Sequence, residues 1–228
     1  MNNKILPAAI VALGIALAGV MVYFGVHEFA NKDRAVTVKG LSTREVKSDY
    51  VVWPLSFSVD GNDLKQLHQA TAETTEMVKA FLRSKGFTDV EMSMGDMNIN
   101  NNWAGYYERR PEYRYSINAT LVISTKDVDK VINNQGCQSE LLAKGVVLNS
   151  YQWNISYQYN GLNELKPEMI EEATMNARAV AQKFADDSRS RLGGIRSASQ
   201  GQFSIESDDN HPWMKRVRVV TTIDYYLK

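Results

Sequence analysis

The chain begins with a long apolar segment, and the rest alternates between strand-like and helix-like patterns. Residues 5–26 contain no Asp, Glu, Lys or Arg. A helix of this length, rising about 1.5 Å per residue, would extend roughly 33 Å, enough to cross a hydrocarbon core of about 30 Å. The pattern therefore predicts one N-terminal transmembrane helix, within a membrane anchor or signal segment at residues 1–29.

The same segment also resembles a cleavable export signal. Lys4 lies in a short positive lead-in, and Ala16-Leu17-Ala18 has the small-x-small form of a cleavage site. The apolar stretch is longer than the about 7–15 residues of a signal peptide core, which favours an uncleaved anchor. A buried core helix is the third alternative. Whether the segment is an uncleaved anchor or a cleaved signal, we expect residues 30–228 to lie outside the cytoplasm.

Seven later stretches predict β-strands. In residues 50–59, Val51, Trp53 and Leu55 alternate with smaller or polar residues, which is the period of a half-buried strand. Pro54 within this strand suggests an edge position or a bulge. The seven stretches are residues 36–40, 50–59, 90–99, 113–123, 146–157, 195–205 and 214–227.

Three stretches have helical spacing. The first begins after an N-cap at Asn62 or Asp63 and ends at Gly86, and the second covers residues 128–142 and is weakened at 133–136. In the third, Pro167 occupies a first turn that tolerates proline. This helix carries an alanine row that indicates close packing in the core, or alternatively an oligomer contact; its members are Ala173, Ala177 and Ala181.

The order of these elements predicts an α+β fold. Strands joined by hairpins, with helices interspersed, favour an antiparallel or mixed sheet with helices packed on one face. Alternating strands also argue against a doubly wound parallel sheet, whose strands are continuously apolar. We therefore expect one α+β domain over residues 35–228.

Composition excludes several classes of protein. The 228 residues carry 26 bases and 26 acids, and 44% are hydrophobic, so the chain is neither disordered nor drawn to polyanions. We expect no nucleic acid partner. Cys137 is the single cysteine, which rules out an internal disulfide framework; we expect it to be buried and inert, with an oxidation-sensitive thiol or a nucleophile as the alternatives.

No motif with catalytic chemistry is present in the sequence. It lacks a phosphate-binding glycine loop, a nucleophile elbow and a zinc-protease helix motif. Asp208 and Asp209 lie near His211, but such a cluster in a turn more commonly caps backbone groups than binds a metal. We expect no catalytic, cofactor-binding or metal site and no enzymatic activity; a hydrolase that uses Asp or Glu is the weakest alternative.

Residues 100–111 form a polar stretch between two predicted strands. This stretch and the start of the next strand are rich in aromatic and cationic side chains. Such groups form protein interfaces and can also stack on sugars or bases. The alternatives are a solvated hairpin, a self-association or protein interface, and a glycan or nucleotide site. The candidate interaction surface consists of Trp103, Tyr106, Tyr107, Arg109, Arg110 and Arg114.

Three stretches of the sequence resemble the SIMPL-domain family of bacterial envelope proteins. They are the entry strand at residues 36–40 with the helix that ends at Gly86, the strand at 113–121 that leads into a short helix, and the alanine row closed by Leu192-Gly193-Gly194-Ile195. The likeness covers residues 35–228, although the hairpin tip at residues 100–111 departs from the family pattern.

The resemblance implies an exported, often oligomeric protein linked to envelope or oxidative stress tolerance, without established enzymatic chemistry. Together with the anchor, it suggests a single-pass protein of the bacterial inner membrane with residues 30–228 in the periplasm; a cleaved, soluble periplasmic form is the alternative. We expect self-association or binding of envelope protein partners. The alternative function is a binding module for a small envelope ligand, such as a glycan fragment, through the tip at residues 103–114.

Overall fold

The structure is a computed structural model that describes residues 5–31, 34–104, 110–149 and 154–228, without the side chains of 5–11, 26–31 and 138. The chain divides into two compact units. Unit 1 comprises Met1–Arg44, Glu164–Ile205 and Val217–Lys228, and unit 2 comprises Glu45–Asn163 and Glu206–Arg216. The predicted single domain over residues 35–228 includes parts of both units and stays a prediction.

Helix α1, Ile5–Asn31, contains the apolar N-terminal segment. Its described side chains, at residues 12–25, are all exposed. In the part of the chain that the structure describes, no helix is both long enough and apolar enough to span a membrane.

Unit 2 contains a four-stranded sheet in the order β3-β4-β2-β5. Strand β4 pairs antiparallel with residues 51–61 of β2, with Trp53 opposite Ile123 and Phe57 opposite Ala119. These side chains are almost completely buried, which confirms the alternating pattern of both strands. The strands are β2 Tyr50–Gly61, β3 Met92–Asn101, β4 Tyr115–Thr125 and β5 Ser156–Gln158.

Three helices cover the buried face of this sheet. Helix α2 begins after Asp63, whose carboxylate accepts hydrogen bonds from the backbone of Lys65 and Gln66. It ends before Gly86, whose positive φ of 88° favours glycine. The helices are α2 Leu64–Ser84, α3 Val128–Asn134 and α4 Gln138–Ala143, and their apolar residues share one core with β2 and β4.

The predicted strand at residues 146–157 is wrong in extent. Leu148 makes one isolated bridge to Phe57, and regular pairing returns only at β5; residues 150–153 lie outside the described chain. Val146 and Ile155 are nevertheless buried in the core. Val147, between Val146 and Leu148, is 58% exposed, so the buried positions before and after residues 150–153 do not share the single face that the alternation predicts. The edge position or bulge predicted at Pro54 is wrong: β2 lies between β4 and β5, and Pro54 pairs with Val122 without a shift in register.

Helix α5 spans Leu162–Asp187, and its residues from Glu164 onward belong to unit 1. The helix begins earlier than predicted, so Pro167 lies inside it. Ala173, Ala177 and Ala181 are completely buried, which confirms their expected core packing. The second sheet has the order β1-β8-β6, and β7 also pairs with β8; its strands are β1 Ala35–Lys47, β6 Leu192–Gln200, β7 Ser204–Ser207 and β8 Met214–Leu227.

The α+β class with antiparallel sheets is therefore confirmed, with two four-stranded sheets in place of one. Strand β1 is also longer than the predicted 36–40.

A partly buried carboxylate, Glu91, connects the residues just before β3 to β4 and α3. Glu91 accepts hydrogen bonds from the Thr88 backbone N–H at 2.8 Å and from the Thr125 hydroxyl, and Lys130 Nζ lies 3.4 Å away. Burial raises the pKa of Glu91, but these hydrogen bonds and the Lys130 charge outweigh it and lower the pKa to about 2. The ionised form therefore stabilises the folded state.

This lowered pKa predicts an acid-sensitive contribution to stability. The contribution is fully present above the ordinary pKa of 4.5 and disappears as pH falls toward 2. We expect Glu91→Gln to lower the free energy of unfolding by on the order of 2 kcal/mol at pH 7 and by much less near pH 2.5. Urea unfolding across this pH range measures the difference. Glu112→Gln, at an exposed carboxylate of the same unit, is the control, and a Glu91→Gln loss that did not change with pH would contradict the assignment.

Candidate functional site: the hairpin of β3 and β4

The tip between β3 and β4 brings together three residues of the predicted interaction surface. The guanidinium carbons of Arg110 and Arg114 lie 5.2 Å and 5.4 Å from the ring centroid of Trp103. The indole Nε1 donates a hydrogen bond to the carbonyl oxygen of Pro111 at 3.0 Å. The Arg114 guanidinium also lies 4.9 Å from the ring of Tyr115. We call Trp103, Arg110, Arg114 and Tyr115 the tip cluster.

Backbone contacts hold the base of this tip. Asn102 donates its backbone N–H to the Arg114 carbonyl, and the Arg114 N–H donates to the side chain of Asn62. The tip cluster is thus attached both to its own hairpin and to the loop before α2. Tyr106, Tyr107 and Arg109, the other predicted members of the surface, lie outside the described residues.

The contacts of Trp103 bear on what the tip can bind. Each cation–π contact at an exposed site contributes about 0.5–1 kcal/mol, so two guanidinium groups would have to be displaced for a sugar or base to take their places on the ring. The indole N–H is also engaged within the hairpin. These contacts favour a cationic, pre-organised surface over an open aromatic platform for stacking.

Strand β3 is an edge strand with an unusual apolar face. Its Met94, Met97 and Ile99 pair with Leu121, Ala119 and Ile117 of β4, all of which point into the core. A bulge at residues 95–96 absorbs one extra residue, so the apolar positions on both sides of it stay on the core-facing side of the sheet. The packed face of the sheet therefore continues to its edge.

Toward this edge the apolar row is exposed to solvent. Met94, Met97 and Ile99 are 43%, 46% and 57% exposed, whereas their β4 partners are fully buried. Met92, at the start of the strand, still packs against the core. We call residues 97–101 the edge segment; it combines exposed apolar side chains with an outer side that pairs with no other described strand.

Sequence reasoning predicted β3 but missed its importance. The bulge breaks the period-2 pattern, so the shared face of Met94 and Met97 becomes visible only from the pairing with β4. The order of strands in the sheet, which leaves β3 at the edge, is likewise a tertiary property. Methionines three residues apart beside Gly95 were the available signal, since glycine inside a strand can mark a bulge.

Other candidate residues have structural roles. Asp208 accepts hydrogen bonds from the backbone N–H groups of Asn210 and His211, as expected for a turn cap. Among the residues that the structure describes, no group of three or more acidic, histidine or cysteine side chains could hold a metal ion. Cys137 is buried, and burial raises the pKa of its thiol.

The fold and this hairpin define the chain as an α+β protein with two antiparallel sheets and an exposed, apolar sheet edge. Comparison with protein families matches residues 36–221 to the SIMPL family, described as proteins of unknown function. The chain belongs to this family, which confirms the resemblance seen in its sequence. No curated protein shows significant similarity to it.

Proposed function

We propose that this protein is a non-enzymatic, membrane-tethered protein of the bacterial cell envelope that associates with itself through the edge segment of β3. The observation that carries the proposal is the exposed apolar row of Met97 and Ile99 on β3, whose outer side pairs with no other described strand. An edge strand of this kind can pair with a strand of another molecule, since its outer N–H and C=O groups lack partners in the sheet.

A second copy of the chain is the partner that this segment fits best. Antiparallel pairing about a twofold axis at Ile99 would place Ile99 opposite its own copy and Asn98 opposite Asn100. The edge segment contains no charged residue, so no like-charge repulsion opposes this pairing. The bulge at residues 95–96 would end the new ladder, because a bulge interrupts regular pairing.

The tethering part of the proposal rests on residues 5–26, which carry no charged side chain. With this segment in the inner membrane, residues 30–228 would lie in the periplasm. Tethered copies share one surface, which raises their effective concentration and favours a weak edge-to-edge contact. A role in envelope or oxidative stress tolerance, and binding of other envelope proteins, would build on this assembly.

Glycan binding through the tip at residues 103–114 is the second candidate. The aromatic and cationic side chains of the tip cluster support it, whereas the contacts already made by Trp103 weigh against it.

Light scattering of the full chain, purified from membranes in a mild detergent, tests self-association. We expect a protein mass that is a multiple of 25.7 kDa and that falls for Ile99→Lys, because a charge in the apolar row opposes pairing. The pairing should weaken at least about tenfold. Intact-mass spectrometry of the same sample should detect residues 1–26.

Val90→Lys is the matched control, since Val90 lies just before β3 and is 98% exposed. This variant should keep the mass of the unsubstituted protein. A monomer at every concentration, or equal masses for the Ile99→Lys and unsubstituted chains, would refute the edge-pairing proposal. Loss of residues 1–26 would refute the tether alone.

A further inference from the structure

A cleft of about 770 Å³ lies within unit 2, apart from the tip cluster and the edge segment. Its walls come from the end of α3, from β5 and the residues before it, and from the loop between β7 and β8. This volume is in the range of small-molecule sites. The lining residues that matter most are Gln135, Asn154, Tyr157, Asp208, Trp213 and Lys215.

Lys215 is the unusual member of this lining. It is only 7% exposed, and its Nζ donates a hydrogen bond to the hydroxyl of Ser207 at 2.7 Å. No carboxylate among the described residues forms an ion pair with it, and burial lowers its pKa. An ammonium has three N–H donors, so two remain for a ligand. A buried cation without a counter-ion is costly, and an anionic ligand would offset that cost.

Aromatic rings supply the apolar part of the cleft. The rings of Tyr157 and Trp213 meet edge to face, with centroids 6.1 Å apart. The ring of His211 also meets that of Trp213 edge to face, with centroids 5.4 Å apart. The Tyr157 hydroxyl bonds to the Gln135 side chain at 3.4 Å. These contacts hold the aromatic wall in place before any ligand binds, which lowers the ordering cost of binding.

Acidic side chains limit which anions fit. Asp208 and Asp209 both line the cleft, and hydrogen bonds from the backbone of Asn210 and His211 hold Asp208 in its ionised form, with a lowered pKa. Two carboxylates in the lining disfavour phosphates and other multiply charged anions through like-charge repulsion. A single carboxylate, paired with Lys215, is the charge that this site tolerates best.

We infer that this cleft binds a small monocarboxylate whose ring or short aliphatic body packs against Trp213 and whose carboxylate pairs with Lys215. Gln135 and Asn154 provide amide N–H groups for further polar contacts. The site uses neither the edge segment nor the tip cluster, so it is independent of the proposed self-association.

Calorimetric titration of the full chain in detergent tests this inference, with phenylacetate as the probe. We expect a dissociation constant of about 1 mM or below, binding at least about tenfold weaker for the uncharged analogue 2-phenylethanol, and no binding of inorganic phosphate. This comparison uses the unsubstituted protein, so it does not depend on the folding of a variant. Absence of heat with phenylacetate up to about 10 mM, or equal affinity for the analogue, would overturn the inference.

Two lysine variants then test the role of Lys215 in binding the carboxylate. Lys215→Met removes the charge at similar length and should weaken phenylacetate binding at least about tenfold. Lys65→Met, at an exposed lysine of the same unit, should leave the affinity unchanged. An unchanged affinity in a folded Lys215→Met protein, judged by its thermal midpoint, would overturn the role of Lys215. Both lysine variants should keep the assembly mass of the unsubstituted protein in light scattering. This separates the ligand test from the self-association test.

Discussion

Replacing Gly40 with alanine is expected to lower the free energy of unfolding by about 3 kcal/mol or more. Gly40 lies in β1, where a Cβ atom would be 1.8 Å from the carbonyl oxygen of Ala173 and 2.5 Å from the backbone nitrogen of Ala177. Both atoms belong to the backbone of α5, so no side-chain rotation can relieve the clash. The strand or the helix would have to move.

The cost should be large because the contact involves Ala177, which belongs to the small core of unit 1. The cluster formed by Val38, Ala177, Ala181, Ile223 and Tyr225 joins the strands to α5. Since alanine side chains set the separation there, a shift of the helix would open gaps between these residues, and tightly packed cores lose contacts quickly when gaps form.

Denaturant unfolding followed by circular dichroism measures this effect. Gly194→Ala is the matched control in the same unit, because a Cβ at Gly194 would meet no atom within 4 Å. We expect the control to change the free energy of unfolding by less than about 1 kcal/mol. A Gly40→Ala protein as stable as the control would show that α5 and β1 are farther apart than in this structure.

The second large effect is expected at Trp53, in the core of unit 2. Trp53 is 1% exposed, and its ring meets that of Phe87 edge to face, with centroids 6.1 Å apart. Trp53→Ala should cost about 3–5 kcal/mol, because it removes the largest buried side chain of β2 and leaves a cavity.

Trp53→Phe should cost much less, below about 2 kcal/mol. The Nε1 group of Trp53 is buried and has no hydrogen-bond partner among the described residues. Phenylalanine removes this unpaired donor and keeps an aromatic ring beside Phe87, which offsets part of the lost packing. Urea unfolding of both variants gives the comparison. Equal losses for alanine and phenylalanine would contradict an unpaired indole N–H.

The local patterns of the sequence predicted most elements of the fold. Alternation in residues 50–59 and 113–123 identified β2 and β4, because a strand with one buried face must alternate. Helix α2 was predicted with its start and end, since Asp63 and Gly86 act on their own neighbours. The failures are of a different kind: the described residues of 146–157 form one isolated bridge and the short strand β5, and α5 continues on the N-terminal side of Pro167.

The candidate site was predicted only in part. Trp103, Arg110 and Arg114 stand out because they are close in sequence, and the structure places them in contact. The edge segment was missed because its exposure depends on where β3 lies in the sheet. The cleft was missed because Tyr157 and Trp213 are 56 positions apart in the chain (213 minus 157) and meet only after folding.

Local patterns along the chain suffice to establish the family, the α+β class, the buried faces of the principal strands and the apolar character of residues 5–26. These properties follow from short-range periodicity and composition. Three properties became visible only in the folded chain: Gly40 contacts the backbone of α5, β3 ends its sheet with an exposed apolar row, and Lys215 lies buried in a cleft beside Trp213. Strand order, register and burial depend on residues far apart in the chain, and local patterns carry little information about them.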